Sequence, residues 1–171
     1  MGIEVGALMD KQQIGLIGKY ILIANLIAAN LEVAEPLRDR GIDLIAFRDG
    51  FDGGEFDACP IQLKTATNEA FELDRKYERF PDLRNVYVWN VSNPNNAEFY
   101  CLTYAEAIGV LKSLKHEKFS YLKEHGYWYT GKPSEELKKM LKEFQVTVPD
   151  DWSNRLGMKE SSAASKKSKR Q

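Results

Sequence analysis

Gly41-Ile42-Asp43-Leu44-Ile45-Ala46-Phe47, about a dozen turn-like residues, and then Cys59-Pro60-Ile61-Gln62-Leu63-Lys64-Thr65-Ala66 form the stretch on which the reading of this chain turns. Successive side chains of a strand point to opposite faces. A strand over Ile61 to Lys64 therefore sets Gln62 and Lys64 on one face and Ile61 and Leu63 on the other. An acid opens the first apolar strand, and an amide and an ammonium share a face of the second, so that face has the means for chemistry. Between them Arg48 to Glu55, with Gly50, Gly53 and Gly54, suits a hairpin connection. Pro60 has no N–H to give a ladder, so either a bulge or a strand that begins at Ile61 accommodates it.

Working outward, Ile14, Ile17, Ile21, Ala24, Ala28 and Leu31 recur at helical spacing, widened by Leu22, Ile23, Leu26 and Ile27. The pattern predicts a helix from about Lys11 to Leu31, covered on most sides, in which Gly15 and Gly18 permit close backbone approach. Its apolar part, residues 20–31, falls short of the ~20 residues that span a bilayer and is interrupted by Asn25 and Asn30. Glu32 to Leu37, with Pro36, suits an edge strand, and Asp39-Arg40-Gly41 a turn. Residues 66–85 are polar and irregular, and a loop is expected there. Val86 to Val91 reads as a buried strand, Asn93 to Asn96 as a turn and Glu98 to Leu102 as the hairpin partner. Thr103 and Glu106 make a capping box for a helix to about Leu114, and Ser134 heads a final helix with Leu137, Met140, Leu141 and Phe144 on its apolar stripe. This order gives an α/β domain, a mixed sheet flanked by helices.

At 171 residues the chain holds one domain with a real core, and 43% hydrophobic with 29% charged residues is the composition of a soluble globular protein. Cys59 and Cys101, both in apolar runs, make no disulfide framework, so a reducing, cytoplasmic setting is expected. Met1 to Gly6 lacks the basic start and apolar core of an export signal, and Gly6 stands where a myristoylation pattern wants Ser or Thr, so neither export nor a membrane anchor is expected. From Lys159 onward five positive charges face one negative, a tail of +4 that leaves −5 on residues 1–158 of a chain whose formal net charge is −1. An acidic body argues against non-specific nucleic-acid binding by the whole surface. Residues 1–149 are expected to form the folded domain and 150–171 a disordered, polar, basic tail.

The stretch from Gly15-Leu16-Ile17-Gly18 through Glu32-Val33-Ala34-Glu35-Pro36-Leu37 and Ile42-Asp43-Leu44-Ile45 to Ile61-Gln62-Leu63-Lys64-Thr65-Ala66 resembles the PD-(D/E)XK nuclease superfamily. Within it the match is to a branch of prokaryotic endonuclease-like proteins with a QxK motif. The resemblance implies a restriction-endonuclease-like mixed sheet core and a DNA endonuclease that uses Mg²⁺ or Mn²⁺. By position it makes Asp43 the metal-binding aspartate, puts Gln62 at the Glu/Asp/Gln position and makes Lys64 the motif lysine, all three catalytic. Glu35, or Glu32, is a possible additional ligand, and a homodimer is implied because such folds often pair to cut both strands. Lys19 departs from the pattern, standing after Gly18 where many relatives have a glutamate.

Phosphodiester hydrolysis needs a cation on the phosphate oxygens, an activated water and positive charge where negative charge builds. Mg²⁺ keeps several waters and takes one or two carboxylates, so Asp43, the Gln62 side-chain oxygen and the Leu63 carbonyl make a partial shell. With amide and lysine in place of two acids, weak metal affinity is expected, part of the missing charge coming from substrate phosphate. Thr65, Arg75, Lys76 and Arg79 are the candidate nucleic-acid contacts. The alternative is a relative with weakened or lost catalysis that binds DNA or a protein partner.

Other motifs read as ordinary structure. His116 and His125 lack zinc-ligand company and are expected to be solvated, Cys59 to be a buried apolar residue, and Tyr127-Trp128-Tyr129 to pack in the fold rather than stack on bases. The Lys166 to Arg170 cluster is expected to be a solvated tail rather than a grip on phosphates.

Overall fold

The computed structural model describes residues 9–38, 40–51, 55–114, 116–147, 149 and 151–158, without the side chains of His116 and Glu117. Helix α1 (Lys11–Ala28) starts on an Asp10–Gln13 capping box, in which each side chain accepts the other residue's backbone N–H. It stops short of Leu31 because Asn30 turns left-handed, φ 56°, while the Asn30 and Leu31 N–H groups bond back to Ile27 and Leu26. Only one face of α1 is covered. Gly18, Leu22 and Leu26 are buried, but Leu16, Tyr20 and Ile27 are at least half exposed, so the expected cover on most sides is absent among the described residues.

The main sheet has six strands in the order β1-β2-β3-β5-β6-β8: β1 (Glu32–Ala34), β2 (Leu44–Arg48), β3 (Asp57–Thr65), β5 (Arg84–Trp89), β6 (Glu98–Thr103) and β8 (Gln145–Val146). Only the β3–β5 pair is parallel, so the sheet is mixed as expected. Strand β3 runs through Pro60. Residues 57–61 pair with β2 on one side, while β5 joins the other side only from Ile61. Pro60 thus lies where one flank of β3 has no ladder, and no break in the strand is needed.

Residues 66–85 are not a loop throughout. Phe71–Asp74 form β4, which pairs antiparallel with β7 (Tyr127–Thr130) as a separate two-stranded sheet, and a 3-10 turn follows over Arg75–Arg79. Helix α2 (Tyr104–Leu114) begins at the Thr103–Glu106 capping box, with Glu106 accepting from Thr103 N–H at 2.7 Å. Helix α3 (His116–His125) follows, and α4 (Glu135–Leu141) is capped by Ser134.

Two cores fill the two faces of the main sheet. Val86 and Val88 turn toward α1, joining Leu22, Leu26, Leu44 and Ile61. Tyr87 and Trp89 turn the other way, toward α2, α4 and the small sheet, joining Phe71, Leu111, Leu137 and Leu141. The folded part also extends past residue 149: α5 (Asp151–Leu156) packs against the α1 side, with Trp152 fully buried and Leu156 and Met158 nearly so. Arg48 holds it by donating to Ser153 Oγ at 2.5 Å, and Arg84 by donating to the Arg155 carbonyl at 3.0 Å. The disordered tail expected from residue 150 is therefore corrected for residues 151–158; residue 150 and the basic cluster Lys166 to Arg170 lie outside the described residues.

Candidate functional site

Asp43 stands one residue before β2. Its N–H donates to the Ile61 carbonyl at 2.8 Å, just outside the β2–β3 register that begins at Leu44 and Ile61. The Asp43 carboxylate reaches across to β3, where Oδ2 accepts the Leu63 N–H at 2.6 Å and the Gln62 side-chain amide.

The same Gln62 Nε2 donates to the Leu63 carbonyl at 3.3 Å, so one NH₂ group bridges the Asp43 carboxylate and a backbone carbonyl. At the other end of the amide, Oε1 accepts from the Tyr77 hydroxyl at 2.5 Å. Gln62 is only 7% exposed and Tyr77 3%, which puts these bonds out of water. Burial raises the Tyr77 pKa, against a smaller lowering by Lys64 and Lys76, and the phenol stays a donor. Gly41, at φ 94°, carries the chain past this pair; a Cβ there would lie 3.4 Å from the Tyr77 ring, and L side chains rarely adopt that φ.

Lys64 follows on the Gln62 face, its ammonium 2.6 Å from Glu72 Oε1 and 5.9 Å from the centre of the Tyr77 ring. Glu72 belongs to β4, and its other oxygen accepts from the Tyr127 hydroxyl of β7 at 2.6 Å. Burial and that bond to a carboxylate push the Tyr127 pKa up. The Glu72 backbone is fixed too, its carbonyl accepting from the Tyr87 hydroxyl at 2.6 Å.

Asp43, Gln62 and Leu63 are thus brought together, with Lys64 on the same face. Glu35 is drawn elsewhere: its carboxylate holds Lys19 of α1 at 3.0 Å, an ion pair at the position where the resemblance puts an acid. Glu32 lies exposed on β1. Thr65 faces α1, where a Cβ on Gly18 would collide with its Cγ2 and sit 2.9 Å from its Cβ. Arg75 is committed to the end of α3, donating to the Lys123 carbonyl at 2.7 Å. Lys76 pairs with Asp74 at 3.0 Å over the Tyr77 ring, and Arg79 is exposed against Phe80. The bond to Asp74 raises the Lys76 pKa.

Sequence reasoning missed Glu72, Tyr77 and Tyr127, which support the site from the small sheet and its turn. The alternation of Phe71 and Leu73, both buried, with Glu72 and Asp74 was the available signal. Asn85 was missed as well. It faces Gln62 in the β3–β5 ladder at 1% exposure, and its Nδ2 has no hydrogen-bond partner among the described residues.

The oxygens of Asp43, Leu63 and Gln62 are those that could take part in holding a hard divalent cation. Asp43 Oδ2 and the Leu63 carbonyl converge on one positive group, the Gln62 NH₂, and Gln62 carries an oxygen at the other end of the same amide. One carboxylate and two neutral oxygens suit an ion that keeps most of its water. Among the described residues no three His, Cys, Asp or Glu side chains cluster as ligands, so the set is lean in charge.

The remaining candidates behave as structure. His125 is exposed beside Glu124 and packs on Tyr121, while the His116 side chain lies outside the described residues. Cys59 is buried, and burial pushes its thiol pKa up to about 11. Of the aromatic run, Trp128 is in the core, whereas Tyr127 and Tyr129 point outward from β7.

The fold is that of an α/β protein with a mixed six-stranded sheet and a polar site at the β2–β3 junction. No family model matches the sequence, and no curated protein matches it. Among solved structures the chain is similar to a bacterial homing endonuclease, I-Ssp6803I, with 15% identity and a TM-score of 0.46 over 92% of this chain and 98% of that one. No helix among the described residues is long and apolar enough to cross a membrane.

Proposed function

We propose that this protein is a metal-dependent DNA endonuclease of the PD-(D/E)XK type, with Gln62 at the motif's middle position. The observation that carries the reading is the single NH₂ group held between the Asp43 carboxylate and the Leu63 carbonyl, on the strand face that also bears Lys64. Mg²⁺ or Mn²⁺ bound there supplies polarisation of the phosphate and acidifies a bound water. Asp43, the Leu63 carbonyl and, once the amide turns away from Tyr77, Gln62 Oε1 would hold it. Lys64 provides positive charge for the phosphate or the attacking oxygen. Lys76 and Arg79, exposed on the neighbouring turn, contact the strand backbone. The apolar stripe of Leu16, Tyr20 and Ile27 on α1 suits pairing with a second copy, and the two buried free thiols suit a reducing cytoplasm.

Purified protein is expected to nick supercoiled plasmid DNA with Mn²⁺, and Asp43→Ala and Lys64→Ala to abolish it. Equal residual cutting by both variants would assign the activity to a contaminant. One observation favours a second reading, a nuclease-fold protein with weakened catalysis that binds DNA or a partner: Lys19 is neutralised by Glu35 and leaves Asp43 without a second acid from α1. Calorimetry separates the two. Salt-dependent DNA binding with no Mn²⁺ uptake, alone or with DNA, selects the second.

A further inference from the structure

We propose that Glu72 is a positioning residue for Lys64, acting with Tyr127 to hold the ammonium at the rim of the Asp43–Gln62 site. A lysine has four side-chain torsions and a compact charge that fixes no geometry by itself. Lys64 would sweep a wide arc without a partner, yet its ammonium is 2.6 Å from Glu72 Oε1, with both side chains less than a quarter exposed. The partner is itself clamped twice. Its second oxygen accepts from Tyr127 at 2.6 Å, and its own backbone carbonyl from Tyr87 at 2.6 Å, so the carboxylate cannot follow the lysine into solvent.

The topology explains why the clamp needs a second sheet. Lys64 lies opposite Tyr87 in the β3–β5 ladder, and the Tyr87 ring stacks on Phe71 at 4.7 Å, next to Glu72 in β4. Strand β7 then pairs with β4, setting Asp74 against Tyr127 and Glu72 against Tyr129. The small sheet thereby delivers one acceptor to Lys64 and one donor to that acceptor. Charge-assisted bonds of this length are the stronger class, and a carboxylate already bonded by a hydroxyl is held in orientation as well as in place. A phosphate arriving at the site meets an ammonium that already has a fixed position. The catalytic consequence rests on the nuclease reading; the Glu72–Lys64 coupling does not.

The test compares wild type with Glu72→Gln and Tyr127→Phe. Brief acetylation of amines at one fixed pH, followed by peptide mass spectrometry, gives the rate at Lys64 relative to Lys76 as internal reference. Glu72→Gln is expected to raise that ratio roughly three- to ten-fold, and Tyr127→Phe to raise it less. An unchanged ratio in folded Glu72→Gln overturns the proposal; should that variant fail to fold, an unchanged ratio in Tyr127→Phe overturns it. Plasmid cleavage with Mn²⁺ reads the consequence: Glu72→Gln lowers kcat with KM unchanged, whereas a raised KM with kcat unchanged refutes the positioning role. Wild-type protein that cuts nothing removes the nuclease reading, while the acetylation ratio still decides the coupling.

Discussion

Replacing Gln62 by glutamate changes one NH₂ to an oxygen, and the site makes the result calculable. The wild-type NH₂ donates to Asp43 and to the Leu63 carbonyl, so Gln62→Glu loses both bonds and sets a second carboxylate against the first. Two unit charges about 4 Å apart at an effective dielectric near 20 repel by about 4 kcal/mol. The variant can avoid that only by keeping a proton. From a reference glutamate pKa of about 4.3, holding the proton costs about 4 kcal/mol at pH 7 and about 1 kcal/mol at pH 5. The sign follows directly. An acid whose folded pKa is raised destabilises the fold progressively as pH climbs above its unfolded value, so the penalty is small at pH 5 and large at pH 7.

For a domain of this size that is a fall in Tm of roughly ten degrees at pH 7 and a few degrees at pH 5. A divalent cation reverses it, because two facing carboxylates bind one more tightly than an acid and an amide do; at a hundred times Kd the recovery is about 2.7 kcal/mol. Thermal melts of both proteins at the two pH values, with and without Mg²⁺, give the answer. A variant that melts independently of pH and gains no more from Mg²⁺ than wild type would show that positions 43 and 62 are not neighbours, and the site assignment would fall with them.

Tyr77→Phe leaves Gln62 Oε1 without its buried donor and is expected to lower stability by about 1–3 kcal/mol in chemical denaturation. Trp152→Ala empties a fully buried site and should cost about 3–5 kcal/mol by the same assay; a negligible change would detach α5 from the core. Cys59, its pKa pushed up to about 11 by burial, is expected to resist alkylation at pH 8 in the native protein and to react at once in denaturant. Asn85→Leu removes a buried Nδ2 that has no partner among the described residues and should leave stability equal or raised, whereas a loss of about 1–3 kcal/mol would reveal a hydrogen bond made through water.

The legible parts of this chain were those whose signal is local. The period of two in Ile61 to Lys64 and the capping pair Thr103 and Glu106 each lie within a few residues and formed as read, and the strand expected over Val86 to Val91 formed as far as Trp89, where Asn90 turns left-handed. Strand β4 hid because its apolar half is only Phe71 and Leu73, in a stretch of charges, and its partner β7 is more than fifty residues away in sequence. Helix α5 hid because Trp152 and Leu156 make a single turn's stripe beside a lysine- and serine-rich tail, too little periodicity to outweigh composition. The juxtaposition of Asp43 with Gln62 and Leu63 was legible from strand order. The backbone bond from Asp43 to Ile61, and the acceptor that holds Lys64, were not, since both come from contacts between distant segments.

The way charge is arranged here bears on what the site does before any ligand arrives. A nuclease centre built from several acids is strained when empty, because like charges face one another without a cation. In this protein Gln62 supplies the positive end of an amide dipole to Asp43, Glu35 neutralises Lys19, and Glu72 neutralises Lys64. Each of these charges has its counterpart, so the protein's own groups satisfy the site. The same satisfaction opposes binding. On the nuclease reading a cation would have to displace the Gln62 donor from a carboxylate, and a hydrogen bond to a charged group is worth about 1.5–3 kcal/mol, a factor of roughly ten to a hundred in affinity. A phosphate would lower that barrier by adding its own charge at Lys64, so on the same reading metal and nucleic acid are expected to bind cooperatively rather than in sequence.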